Sequence, residues 1–141
     1  MRDDVVLPVL LGSARRAYGQ AIRHALTEAG FDDLPPRSAF VLGAIRRGET
    51  SASSLAQGMA TSKQAASQLL DTLVARGYVD RVPDEQDRRR VTLTLTDRGR
   101  GAAVEVRDAI EGVDARLVDA VGADDLAVLR RSLTVLCELQ P

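Results

Sequence analysis

Apolar residues between positions 3 and 29 recur every three or four places. Leu7, Leu10, Ala14, Ala17, Ala21 and Ala25 form one line, and Leu11, Tyr18, Ile22 and Ala29 widen it. That period belongs to an α-helix with one buried stripe. Pro8 fits only a first turn, so ordered helix is expected from about Leu7, with Gly30 as its stop. Pro35 and Pro36 open a second helix, whose buried side is Phe40, Val41, Ala44 and Ile45 and whose end is Gly48. Ser51 caps a short third helix, Ala52 to Met59, with Leu55 and Met59 facing inward. Ala60 follows at the position where a turn glycine is common in helix-turn-helix units.

The next helix starts at Thr61 or Ser62. Either hydroxyl can cap it, and Thr61 with Gln64 also fits a capping box. Ala66, Leu70, Leu73 and Val74 mark its buried face, while Lys63, Gln64, Ser67, Gln68 and Asp71 lie on the other side. Gly77 ends it. The period then drops to two. Tyr78 to Val82 is one strand, and Val91, Leu93 and Leu95 alternate with Thr92, Thr94 and Thr96 in a second. The intervening Pro83 to Arg90 is polar and too long for a tight turn, so it projects. Helical spacing returns after Thr96: Ala103, Val106, Ile110, Val113 and Leu117 repeat at intervals of three and four up to about Ala120. Leu126, Leu129, Leu133 and Leu136 do the same beyond Gly122, behind Asp124 and Asp125, which suit a helix N-terminus.

These elements predict a mainly α chain forming a single domain over residues 1–141. Residues 35–100 are its winged helix-turn-helix part, with a small β-hairpin wing. Residues 3–29 and 97–140 are terminal helices with more apolar stripe than the reading head covers, which predicts dimerisation through them. The composition adds three constraints. Aromatic residues are 3% of the chain, so its core is built from Leu, Val and Ala. No run of apolar residues has the length of a membrane span, and no signal peptide is evident, so a soluble, cytoplasmic protein without membrane partners is expected. The net charge is −1, but residues 35–100 hold 11 Lys/Arg against 7 Asp/Glu, and residues 101–141 hold 4 against 8. Positive charge is concentrated on the segment that contains the wing.

That distribution directs attention to nucleic acid. Ser62, Lys63, Gln64, Ser67 and Gln68 offer amides, hydroxyls and one cation on the outer face of a helix, which suits reading base edges in a major groove. Asp87, Arg88, Arg89 and Arg90 form the hairpin tip, and adjacent arginines on a protruding loop suit a narrow, electronegative minor groove. Asp87 is expected to orient Arg89. Arg98 and Arg100 are expected to contact phosphates at most, and Arg15, Arg16 and Arg23 to form a solvated face. Catalytic chemistry finds little support. The chain has one histidine, His24, and one cysteine, Cys137, which excludes an internal disulfide and a cluster of cysteine ligands. Gly99 and Gly101 sit at a helix start and form no nucleotide fingerprint. No enzyme activity, cofactor or metal is expected.

The run LAQGMATSKQAASQLLDTLVARGYVDR, followed by PDEQDRRR and LTDRG, resembles the MarR (multiple antibiotic resistance regulator) family of winged helix-turn-helix repressors. The Asp-x-Arg of the family's wing stands here as Asp87-Arg88-Arg89, and its Leu-Thr-x-x-Gly as Leu95-Thr96-Asp97-Arg98-Gly99. The likeness is strongest over residues 35–100 and extends to both ends only in pattern. It implies a homodimer that binds a palindromic double-stranded DNA operator and represses transcription. It also implies a small, often aromatic and anionic effector held between the reading head and the dimer helices, for which Tyr18 and Arg16 are the candidate contacts. Two other readings stand beside it. One is a winged-helix protein-interaction module, which would not need three arginines at the hairpin tip. The other is a redox-responsive repressor using Cys137. Family members of that kind carry the reactive cysteine near the start of the first helix, where this chain has none, so Cys137 reads more simply as an apolar residue in a dimer seam.

Overall fold

Among residues 4–139, which the computed structural model describes, the order of elements is α1 (Leu7–Glu28), α2 (Ser38–Arg46), α3 (Ala52–Gly58), α4 (Lys63–Ala75), β1 (Val79–Pro83), β2 (Val91–Leu95), α5 (Asp97–Val121) and α6 (Ala123–Glu138). The expected helix-turn-helix, hairpin and terminal helices are all present. The first residues of the 3–29 segment and the last of the 97–140 segment lie outside the described residues.

Three helix starts follow from side-chain caps. The Ser51 hydroxyl accepts from the Ser54 N–H at 3.1 Å, and the Thr96 hydroxyl from the Gly99 N–H at 3.0 Å. At α4 the open choice resolves to Ser62, whose Oγ accepts from the Ala65 N–H at 3.1 Å. The second helix begins later than its prolines suggested. Pro35 and Pro36 lie in the preceding turn, and α2 starts at Ser38, whose hydroxyl donates to the Pro35 carbonyl at 2.6 Å. Arg37 reaches this turn through a left-handed backbone, φ 70°, and its guanidinium donates to the Met59 carbonyl at the end of α3. Ala60, also left-handed at φ 51°, makes the turn into α4 where glycine was the expected residue.

The core lies inside the reading head. Val41 and Leu42 of α2, Leu55 of α3, Leu70 and Leu73 of α4, and Tyr78 and Val79 are at most 1% exposed. The antiparallel hairpin pairs Val79 with Leu95 and Pro83 with Val91, so Leu93 and Leu95 face the core, while Val91, near the tip, is exposed. Tyr78 precedes the strand instead of opening it and is fully buried. Two other apolar assignments change. Phe40 is 38% exposed: it lines a cavity beside α5, with its ring against Gly58 of α3. Leu26, on no predicted stripe, is the buried residue of α1.

α5 joins this core through small residues. Gly99, Ala102, Ala103 and Val106 are buried, and α1 packs against the same helix. A Cβ on Gly99 would collide with the Tyr78 carbonyl, so only glycine allows α5 to start this close to the hairpin. Farther out the three long helices are tied by polar groups. The Tyr18 hydroxyl donates to Asp114 of α5, and Arg130 of α6 reaches the other oxygen of that carboxylate at 2.5 Å. The hydrogen bond to Asp114 and the tyrosine's burial hold its pKa above the ordinary range.

Two substitutions separate close approach from backbone strain. Gly99→Ala should destabilise the fold by about 3 kcal/mol, the upper end for overpacking. Ala60→Gly should stabilise it by roughly 0.5–1 kcal/mol, since relief of a left-handed alanine outweighs glycine's added chain entropy. Urea unfolding midpoints, read at constant slope, measure both. A Gly99→Ala chain as stable as its parent would refute the tight junction.

Candidate nucleic-acid interface

Ser62, Lys63, Gln64 and Gln68 are exposed and Ser67 is half-buried, all in the first two turns of α4 or its cap. Ala66, Leu70 and Leu73 on the opposite face are buried, which fixes the helix's rotation about its own axis. The polar face is therefore presented outward by packing and not by choice of rotamer. Ser62 spends its Oγ lone pair on the cap, which leaves its hydroxyl hydrogen free to donate. Asp71 sits one turn beyond Gln68 and has a structural partner: Arg81 of β1 reaches it at 2.6 Å. Exposed pairs of this kind add only about 0–1 kcal/mol. Its consequence is geometric, because it links the reading helix to the strand that carries the wing.

The wing tip is a closed loop. The Asp84 N–H donates to the Arg90 carbonyl at 2.9 Å, and the Arg90 N–H to the Asp87 carbonyl at 2.9 Å. Two carboxylates accept from backbone N–H groups two residues on: Asp84 from Gln86 at 2.9 Å and Asp87 from Arg89 at 3.0 Å. Asp87 thus orders the backbone under Arg89. The orienting contact runs through the Arg89 backbone N–H, an Asx-type turn, and not through the guanidinium. Arg88, Arg89 and Arg90 are exposed, and among the described residues none of them pairs with a carboxylate.

Arg98 and Arg100, expected at most as phosphate contacts, are exposed but engaged by other groups of the protein. Arg100 donates to the Leu95 carbonyl at 2.8 Å and pairs with Asp97. Arg98 lies 4.5 Å from the centre of the Tyr78 ring, donates to the Tyr78 hydroxyl at 2.9 Å, and meets both oxygens of Asp33 at 2.9 and 3.1 Å. The Tyr78 hydroxyl in turn donates to Asp33, and Arg76 donates to the Asp33 carbonyl. Nothing in the spacing of Asp33, Tyr78 and Arg98 announces this cluster. The one available signal was a tyrosine directly after the helix-ending Gly77.

A cavity of about 410 Å³ opens between α1, α2 and α5. Ile22, Phe40, Val106 and Ile110 supply apolar walls, and Arg46, Arg47, Arg107 and Glu111 charged ones. Neither Arg16 nor Tyr18 lines it: Arg16 bonds Ser13 on its own helix, and Tyr18 is engaged by Asp114. The ring of Phe40 also touches α3, where its Cζ stands 2.7 Å from the place a Cβ on Gly58 would take. No group of three or more candidate metal ligands occurs among the described residues, and none of the helices there is long and apolar enough to cross a membrane.

The pKa of Asp33 is lowered, first by the Tyr78 hydrogen bond and then by the charge of Arg98. A carboxylate with a lowered folded-state pKa adds stability at pH values above its unfolded pKa, about 4. That stability is lost as the pH falls through the folded value. Asp33→Asn should therefore melt below the parent at pH 7, with the gap closing as the pH drops below about 4. A gap that does not narrow as the pH falls below about 4 would mean that the charge of Asp33 is not what stabilises.

Residues 32–90 match the MarR family. The exopolysaccharide II synthesis transcriptional activator ExpG of Rhizobium meliloti (strain 1021) is 30% identical over 104 residues, 74% of this chain and 54% of that protein. The chain thus spans about half the length of this curated relative. The reduced form of MarR from E. coli superposes with a TM-score of 0.73 at 22% identity, over 95% of this chain and 98% of that one. The transcriptional repressor CouR, solved bound to a 23-mer DNA duplex, gives 0.74 at 22% identity, over 94% and 92%. Likeness at that identity carries the fold, and the fold is the winged helix described above. The chain thus matches the MarR family in sequence over residues 32–90 and shares the winged-helix fold of these solved proteins over nearly its whole length.

Proposed function

We propose that the protein is a DNA-binding repressor that reads a palindromic operator as a homodimer. Ser62, Lys63, Gln64, Ser67 and Gln68 enter the major groove, and Asp87, Arg88, Arg89 and Arg90 form a wing tip that enters the minor groove. The observation that carries this reading is the pairing of an outward amide-and-hydroxyl face on α4 with three unpaired wing arginines, joined by Asp71 and Arg81. A protein-interaction module would not need three arginines at the hairpin tip. CouR's complex with duplex DNA supports the same reading by likeness of fold.

Dimerisation is supported by the apolar ends of the terminal helices. Leu7, Val9 and Leu10 of α1 and Val128, Leu129, Val135 and Leu136 of α6 are 40–55% exposed in the single chain. A second copy would cover them and set two reading heads about one helical turn of DNA, roughly 34 Å, apart. Cys137 is exposed on the same helix, in keeping with a seam position. An aromatic anion fits the cavity between α1, α2 and α5, where arginines surround apolar walls. Phe40 touches both the cavity and α3, so a ligand that displaces its ring acts on the reading head directly. Binding would favour a head separation that no longer matches the half-sites.

Sedimentation at micromolar concentration should give twice the chain mass, and a clean monomer would remove the basis for palindromic reading. On duplex DNA from upstream of the protein's own gene, Arg89→Ala should cost on the order of 1–3 kcal/mol. Gln68→Ala should relax preference at one or two base positions. Fluorescence anisotropy on operator and scrambled duplexes measures both. If Arg89→Ala binds operator as tightly as the parent, the wing is not a groove reader, and a protein partner becomes the better reading.

A further inference from the structure

The helices assigned to dimerisation meet the reading head at two places. Residues 29–37 lead from α1 into the head, and Thr96 leads from β2 into α5. The apolar contact across this boundary joins Gly99, Ala102, Ala103 and Val106 of α5 to Leu26 of α1, with the Phe31 ring against Gly101. Hydrophobic burial is non-directional, whereas hydrogen bonds have preferred angles. A cluster of such directional contacts lies at the boundary. Asp33 belongs to the segment after α1, Tyr78 to the junction between α4 and β1, and Arg98 to the first turn of α5.

The three groups satisfy one another. Arg98 donates to both Asp33 oxygens and to the Tyr78 hydroxyl, the hydroxyl donates to Asp33, and the guanidinium packs on the tyrosine ring. Arg76, at the end of α4, adds a bond to the Asp33 backbone. The Arg98 and Asp33 side chains are 46% and 39% exposed, so their ion pair contributes little to global stability. Its effect is on geometry.

We infer that Asp33, Tyr78 and Arg98 are positioning residues that hold the end of the reading helix at a fixed angle to α1 and α5, and so set operator affinity without touching DNA. The inference rests on the DNA-binding reading for its consequence, though not for its geometry. Loss of the cluster lets the head sample angles at which two half-sites are not reached together. Apparent affinity then falls by the fraction of time spent in the competent state.

The cluster can be opened from a buried side and from an exposed side. Tyr78→Phe removes only the hydroxyl and keeps a ring in the core, and Arg98→Gln removes the cation. Each should weaken operator binding about five- to tenfold by that population argument, and the double variant should be no worse than the weaker-binding single. The slope of log affinity against log salt should match the parent's in all three, because no phosphate contact is lost. The melting temperature should fall by only a few degrees. If Arg98→Gln flattens the salt slope by about one unit while Tyr78→Phe binds like the parent, Arg98 is a phosphate contact and the inference is wrong. Parental affinity in both variants overturns it equally. Should Tyr78→Phe fold poorly, Asp33→Asn makes the same test from the surface.

A second readout needs no DNA. Spin labels on Glu85→Cys in the wing and Asp119→Cys on α5, in a Cys137→Ser background diluted with unlabelled chain, report the head angle within one protomer. The cluster variants should broaden that distance distribution, and an unchanged width would overturn the inference. A parent that binds no specific DNA would instead count against the proposed function, leaving the spin-label result to decide the positioning role.

Discussion

The fold depends on the contact between the backbone of Tyr78 and the first turn of α5. Four interactions converge there. The Thr96 N–H donates to the Tyr78 carbonyl at 3.1 Å, and its hydroxyl donates to the Gly77 carbonyl at 2.6 Å. The same hydroxyl caps α5 by accepting from Gly99, and Gly99 itself gives way to the Tyr78 carbonyl. The Leu-Thr-x-x-Gly motif thus has a physical content. Threonine satisfies the orphan groups of one helix end and one helix start together, and glycine lets them come within reach. With the hairpin base held there, the wing's position follows from strand register and from the Asp71–Arg81 pair.

Periodicity made most of this legible. The buried face of α4, the alternation of Leu93 and Leu95, and the helical terminal segments were readable because burial imposes a period on sequence. The polar face of α4 and the arginine tip were readable for the complementary reason, that solvent-facing groups interrupt the period with chemistry. What escaped was whatever depends on contacts distant in sequence. Asp33 and Arg98 are 65 positions apart, and no local pattern distinguishes a paired arginine from a free one. Phe40 failed differently: it keeps helical spacing with Val41 and Ala44, but its side of α2 faces a cavity and not the core. Asp87 was legible as the residue that orients Arg89, but sequence alone did not say that it does so through the backbone N–H.

The charge distribution acquires meaning only with these partners assigned. Of the arginines near the reading head, Arg81, Arg98 and Arg100 are neutralised by Asp71, Asp33 and Asp97. Lys63 at the start of α4 and Arg88 to Arg90 on the wing tip are among the exposed cations that no carboxylate pairs with among the described residues. A net charge near zero over the whole chain is therefore compatible with a locally positive surface, since screening over about 8–10 Å makes the near charges the ones a phosphate backbone feels.

The two kinds of contact in the molecule differ in how easily a ligand can alter them. Inside the head, side chains from α2, α3, α4 and the hairpin interdigitate with almost no exposure, and removing any large one costs about 2–5 kcal/mol. At the boundary with the long helices, glycine and alanine pack beside Val106, Leu26 and Phe31, and the half-exposed polar groups inferred to set the rotation are worth about 0–1 kcal/mol per pair. An effector needs only about 1.4 kcal/mol of preference between two head angles to change their ratio tenfold. That preference is within reach of one charged contact at the cavity rim, but too small to deform the head core. The cavity lies along this softer boundary, between α1, α2 and α5. In the proposed dimer, each reading surface would stay rigid while the separation of the two stayed adjustable.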